Sequence, residues 1–274
     1  IRFISIIIHF YNIIRHLLLC FAKQKTKLGR NLKMDFKNEW FRIIKKTLTW
    51  IARKLPNCGS IWMLHDCAKN MTPASNEQYF VNTDGFEKLI KKKLLEGHIF
   101  RSLNELEISN CKSIFVTFDD GLESVYKDAL PILKKYNIPF CVFIIIEKIG
   151  KSGYLSEIQL RELEQCYLCT LGTHTLSHCR LRECESKRAW EEIKHSKDEL
   201  EKIVGHPIKY MAYPYGDIKA VSYRDIRFAK KGCYVMAFST IQSHISKLFI
   251  KHKYFIPRLN INNEFVISQC VDQA

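Results

Sequence analysis

The sequence predicts an α/β fold built on parallel strands, either a barrel or an open sheet, and three observations lead there. From Ser60 onward, short apolar runs rich in β-branched and aromatic residues alternate with segments of helical period. Alternation of this kind favours parallel strands joined by covering helices. The chain is 274 residues long, with 47% hydrophobic and 12% aromatic residues, enough for one large domain with a filled core.

Taken in order, Ile61-Trp62-Met63-Leu64 reads as a short buried strand and Phe86 to Glu96 as a helix. Ser113 to Phe118 is a strand, Glu123 to Tyr136 a helix, and Phe140 to Ile146 a fully buried strand. A helix from about Ser156 to Gln165, a strand at Tyr167 to Leu171 and a long charged helix from about Lys187 to Val204 follow. Strands near Met211 and from Cys233 to Phe238 complete the series. There are no internal repeats or low-complexity tracts.

The domain so outlined covers residues 57–274, and residues 1–56 form a basic, apolar leader. The leader holds 13 Lys/Arg against 2 Asp/Glu, whereas the remaining 218 residues carry 30 against 26. The net charge of +15 therefore belongs mostly to the leader, which argues against a nucleic-acid groove on the domain. Within it, residues 3 to 21 are interrupted by His9, Arg15 and His16, a poor transmembrane pattern, and no small-residue cleavage site follows. Ile1 stands first, and Met34 is read as the natural start, leaving residues 1–33 as translated leader. Over residues 36–55, Phe36, Trp40, Ile43, Ile44, Leu48, Ile51 and Leu55 recur at helical spacing among lysines and arginines. That basic amphipathic helix would either pack on the domain or lie on an anionic membrane surface. Eleven scattered cysteines, an odd number, read as reduced thiols in a cytosolic setting. The expected location is therefore cytoplasmic, peripheral at the inner face of the membrane. The run Cys166, Cys169, Cys179, Cys184 leaves a structural zinc site as the lesser alternative.

Two motifs carry chemistry. The strand Ile114 to Phe118 ends in Asp119-Asp120-Gly121, where the C-terminal ends of barrel strands gather active sites. Adjacent carboxylates repel unless a cation compensates, and a bound metal would do so while leaving the other free as a base. An N-cap at a tight turn accounts for only one of the two. Directly after a later strand comes Thr173-His174-Thr175-Leu176-Ser177-His178. Histidines four apart lie on one side of a helical turn, so both could reach one ion, and a strand-end Asp would complete a set of two His and one Asp. A third segment, Tyr210 to Asp217, reads by itself as a strand ending in a Pro-Gly turn.

Thr-Phe-Asp-Asp-Gly, then His-Thr-x-x-His about 50 residues on, then a Pro-Tyr turn, together resemble the polysaccharide deacetylases of carbohydrate esterase family 4, the nodulation-type chitooligosaccharide deacetylase homology domain. The resemblance runs over roughly residues 60 to 260 and implies that family's distorted (β/α) barrel. It implies Asp120, His174 and His178 as metal ligands, Asp119 as general base, Thr175 as support of the histidine loop and the Tyr215 N–H as oxyanion donor. Two departures stand out. The family's arginine that braces the base is replaced by Ala212, and Arg258 is the expected substitute. The family's late Leu-x-His motif is missing, and His65, in Trp62-Met63-Leu64-His65-Asp66, looks like that motif moved to the front, as in permuted members.

The implied activity is metal-dependent removal of an N-acetyl group from an N-acetylated sugar in a polysaccharide, oligosaccharide or lipid-linked glycan. The expected ion is zinc, with cobalt or nickel compatible with the same ligands. A catalytically weakened carbohydrate-binding barrel and a hydrolase of non-sugar amides are the alternatives. The expected partner is the N-acetylated glycan, and no nucleic acid.

Overall fold

The structure, a computed structural model, describes residues 56–71 and 76–270. The expectations for residues 1–55, including the amphipathic helix over 36–55, Met34 as the start and Cys20, lie outside the described residues. Among the described residues no helix is long and apolar enough to cross a membrane.

Ten strands are formed: β1 (Ser60–Leu64), β2 (Asp66–Ala68), β3 (Phe80–Asn82), β4 (Ile99–Phe100), β5 (Ser113–Phe118), β6 (Phe140–Ile144), β7 (Cys169–Thr173), β8 (Tyr210–Ala212), β9 (Met236–Gln242) and β10 (Ile256–Asn260). Seven close into a parallel ring in the order β1-β5-β6-β7-β8-β9-β10 and back to β1. The closing register runs from Ser60 opposite Ile114 to Leu64 opposite Phe118. Strand β4 adds to the first two residues of β5, and β2 and β3 form a separate parallel pair. The helices are α1 (Thr83–Leu95), α2 (Leu130–Lys135), α3 (Glu157–Glu164), α4 (Ser186–Val204), α5 (Tyr223–Lys231), α6 (Lys247–Lys251) and α7 (Asn263–Cys270). This is the distorted (β/α) barrel.

Strand alternation sorts the core into two clusters, because successive side chains point to opposite faces. Ile61, Phe115, Cys141, Phe143, Tyr210, Ala212, Phe238 and Ile256 make the smaller cluster inside the ring. Their neighbours in sequence, among them Trp62, Val116, Phe118, Val142, Leu171 and Met211, join the larger cluster with the helices. Parity then fixes the site. Thr117 and Asp119 share the inward phase of Phe115, and Arg258 shares that of Ile256, so all three project into the C-terminal mouth of the ring.

Several elements differ from the sequence reading. The strand expected at Tyr167 to Leu171 begins at Cys169, and Tyr167 is exposed with its hydroxyl on Asn137 Oδ1, 2.6 Å away. The expected helix from Glu123 to Tyr136 is a π-helical turn, Val125–Ala129, running into α2, with Pro131 near the junction. Proline has no N–H to complete the regular ladder. Strand β10 carries Pro257 at a register shift between Ile256 and Arg258, where the absent N–H is tolerated.

Candidate active site

The segment after β5 turns sharply. Asp120 and Gly121 both have positive φ, 70° and 71°, so the chain reverses directly beyond Asp119. Asp119 is buried, and its N–H donates to Leu64 O at 2.8 Å. Arg258, fully buried, grips its carboxylate in a fork: Nη1 to Oδ1 and Nη2 to Oδ2 are both 2.7 Å. The guanidinium also donates to Thr117 Oγ1 at 3.1 Å and Ser239 O at 3.0 Å, so its position is set from β5 and β9. Arg258 thus lies against Asp119, and Ala212 ends β8. Burial acts to raise the Asp119 carboxyl, but Arg258, with smaller help from His174 and His65, holds it below the usual carboxylate range.

The histidine loop is not helical. Thr175 and His178 both adopt left-handed backbone, φ 63° and 64°, and these two reversals, rather than a helical turn, bring the imidazoles together. The ring centroids of His174 and His178 are 4.9 Å apart. His174 Nδ1 is 2.8 Å from Ala212 O, which fixes its tautomer with Nε2 turned to the site. His178 N–H donates to Thr175 Oγ1 at 3.2 Å. Glu192 of α4, fully buried, completes the support, accepting from the N–H groups of Leu176 and Ser177 at 3.0 and 2.9 Å and from the Ser177 hydroxyl at 2.6 Å. Sequence reasoning missed Glu192. It shares the buried face of α4 with Ala189, Ile193 and Leu200, and a carboxylate on an apolar helix face was the available signal.

Asp120 Oδ1 lies 3.5 Å from His174 Nε2 and 3.4 Å from His178 Nε2, and it is a buried acceptor with no hydrogen-bond partner among the described residues. Tetrahedral ligands held about 2.0–2.1 Å from one zinc ion stand about 3.3–3.4 Å apart, so the donor set fits a divalent ion. Among the described residues these three form the grouping suited to a metal, and the four cysteines of the 166–184 run do not. The ten described cysteines are all free. Burial, then the charge of Asp119, raises the Asp120 carboxyl to about 7. Burial lowers His174 to about 4, and burial followed by His174 lowers His178 to about 3, so both imidazoles are neutral and able to ligate.

His65, between β1 and β2, places Nε2 4.0 Å from Asp119 Oδ2 and packs on the Tyr79 ring at 4.3 Å. Burial lowers it to about 4, and its Nδ1 has no partner among the described residues. Tyr215, φ 60°, packs its ring 4.8 Å from His178. Its carbonyl accepts from Thr240 Oγ1 at 2.6 Å, and its N–H donates to no acceptor among the described residues. All seven sequence-predicted site residues therefore line one mouth of the barrel.

Residues 107–230 match the family described as polysaccharide deacetylase. Over this segment the chain is similar to polysaccharide deacetylases. The match contains Asp119, Asp120, His174, His178 and Tyr215, while His65 and Arg258 lie outside it and join the site through β1 and β10. Over 207 residues the chain is 27% identical to the poly-β-1,6-N-acetyl-D-glucosamine N-deacetylase of Staphylococcus aureus, covering 69% of this chain and 70% of that one. The Streptococcus pyogenes deacetylase PplD, solved in complex with acetate, superposes with a TM-score of 0.67 at 25% identity, over 78% of this chain and 97% of that one. IcaB from Ammonifex degensii shares the fold, with a TM-score of 0.67 at 22% identity over 79% of this chain and 97% of that one.

Proposed function

We propose that this polysaccharide deacetylase domain removes the acetyl group from an N-acetylated sugar, using a divalent ion held by Asp120, His174 and His178. The observation that carries the reading is the division of labour between adjacent carboxylates. Asp120 faces both imidazoles, whereas Asp119 faces Arg258 and leaves the ligand set. Support comes from the relatives: one is named for N-acetylglucosamine polymers, and one binds acetate, the acid this reaction would release.

A bound divalent ion supplies Lewis acidity toward a carbonyl and lowers the pKa of water, and zinc suits a two-His, one-Asp set. The chain's own residues do the rest. Asp119, kept ionised by Arg258, accepts the proton of the attacking water. The Tyr215 N–H, which meets no acceptor among the described residues, donates to the oxygen on which negative charge develops. His65 is neutral at rest and lies 4.0 Å from Asp119 Oδ2, close enough to take up a proton in turnover and deliver it to the departing amine. Acetate release from poly-β-1,6-N-acetylglucosamine fragments tests the reading. Acetate appearing with zinc, and lost in Asp119→Asn, is expected. A chain that binds the oligomer and releases none would instead be a carbohydrate-binding barrel.

A further inference from the structure

Two cationic side chains stand at the site without a carboxylate of their own among the described residues. Lys148 ends the 3-10 turn after β6, with Nζ 5.2 Å from the centre of the Tyr154 ring. Arg180 follows His178 by two residues, its guanidinium 4.1 Å from the Tyr215 ring, whose centroid lies 4.8 Å from that of His178. Backbone hydrogen bonds tie the segments flanking the first pair to the loops that carry the ligands. Ile146 and Glu147 donate to Thr175 O and Leu176 O at 3.3 and 3.0 Å, and Leu155 donates to Gly121 O at 2.9 Å. Tyr215 is 45% exposed, so the second pair opens to solvent.

Among the described residues neither cation forms an ion pair with Asp119 or Asp120. Arg258 already neutralises Asp119, and Asp120 faces the two imidazoles. Among the described residues neither Lys148 nor Arg180 forms an ion pair with a carboxylate outside the site. Lys148 is near enough for its charge to act on both Asp120 and His178, and that of Arg180 acts on His178. An aromatic contact restricts each long side chain before a ligand arrives, which reduces the ordering cost of binding. Surplus positive charge at a rim attracts and orients an anion.

We propose that Lys148 and Arg180 recognise an anionic group on the glycan, so that the preferred substrate carries a carboxylate or phosphate ester beside the acetamido sugar. This rests on the deacetylase reading and narrows its substrate class. A neutral homopolymer would leave both cations unused.

The test uses matched probes with the full chain: a hyaluronan tetrasaccharide against its carboxyl-reduced form, and N-acetylglucosamine 1-phosphate against the methyl glycoside. Binding is measured by calorimetry, and kcat/KM by acetate release. In at least one pair the anionic member is expected to bind about tenfold more tightly at low salt, with the advantage shrinking as salt rises. Lys148→Gln and Arg180→Gln are each expected to reduce that preference about fivefold. Lys230→Gln, an equal charge change on α5, should leave it. The pair showing the preference identifies carboxylate or phosphate. Binding within twofold in both pairs, or a preference that survives both substitutions, overturns the proposal. Equal acetate release from neutral and anionic probes would sink it and leave the deacetylase reading standing. Charge-dependent binding without acetate from any probe would uphold the cation pair and sink that reading instead.

Discussion

Replacing Arg258 by Met removes the partner of a buried carboxylate while keeping most of the side-chain volume. Four hydrogen bonds go: two to Asp119, one to Thr117 and one to Ser239. Breaking a buried pair from one side typically costs about 3–5 kcal/mol, because the remaining charge stays out of water without compensation. For a domain of this size, at about 2–4 °C per kcal/mol, the melting temperature should fall by roughly 10 °C. A buried Asp whose folded pKa is depressed adds stability that is present above the unfolded pKa of about 3.9 and lost as pH falls through the folded value. In Arg258→Met burial dominates instead, the carboxyl moves upward, and that acid-sensitive increment disappears. The acidic limb of the kcat/KM profile for acetate release should move to higher pH in step. Adding Asp119→Asn to Arg258→Met should recover part of the lost stability without recovering activity. Thermal unfolding and a pH-rate series on the three variants decide the matter. A stability loss under about 1 kcal/mol with an unmoved acidic limb would refute the assignment of Arg258 as brace of the base.

Three further outcomes follow from the site. Asp120→Asn should remove about one equivalent of zinc retention together with activity while thermal unfolding stays cooperative, as metal analysis after dialysis would show. Because the Asp120 carboxyl sits at about 7 without an ion and the histidines at about 4 and about 3, zinc binding should release about half a proton at pH 7 and about one near pH 5, with affinity falling about fivefold and then about tenfold over those two pH units; a flat profile, or a slope of two, contradicts the ligand set. Glu192→Gln turns an amide NH₂ toward donors of the histidine loop and should cost about 1–3 kcal/mol in denaturant unfolding, with weaker zinc binding than the native chain.

Gly216→Ala tests the Tyr215 turn. A Cβ there would meet Thr240 N at 2.6 Å, with φ at 48°, so the turn must shift and kcat should fall more than KM rises. Unchanged kinetics would separate the Tyr215 N–H from oxyanion stabilisation.

The sequence made some parts of this site legible and hid others, for physical reasons. Strand β5 was readable to the residue because an unbroken buried run ends in two carboxylates and a glycine, a pattern that neither helix nor loop explains. Arg258 could be named because the missing arginine at Ala212 left Asp119 in need of a partner, although β10 itself was hidden by Pro257, which reads against a strand. The convergence of His174 and His178 was foreseen with the wrong geometry: spacing suggested a helical turn, and the loop does it with two left-handed residues, Thr175 and His178, on either side of the Leu176 and Ser177 N–H groups that Glu192 accepts from. Nothing in local periodicity announces such backbone. The β2 and β3 pair, three residues each, was too short to produce a pattern, yet it flanks the turn that carries His65. Lys148 and Arg180 went unnoticed because only the tertiary fold sets them beside aromatic rings at the mouth.

The central claim is that Asp120, His174 and His178 hold one ion while Asp119, left out of the ligand set, serves as base. Acetate release from a poly-β-1,6-N-acetylglucosamine oligomer, followed as zinc is added back to chelator-treated protein, tests it most directly. The account predicts a linear rise that reaches a plateau at one equivalent of zinc. Activity that is indifferent to zinc, or no acetate at any zinc level, would contradict it.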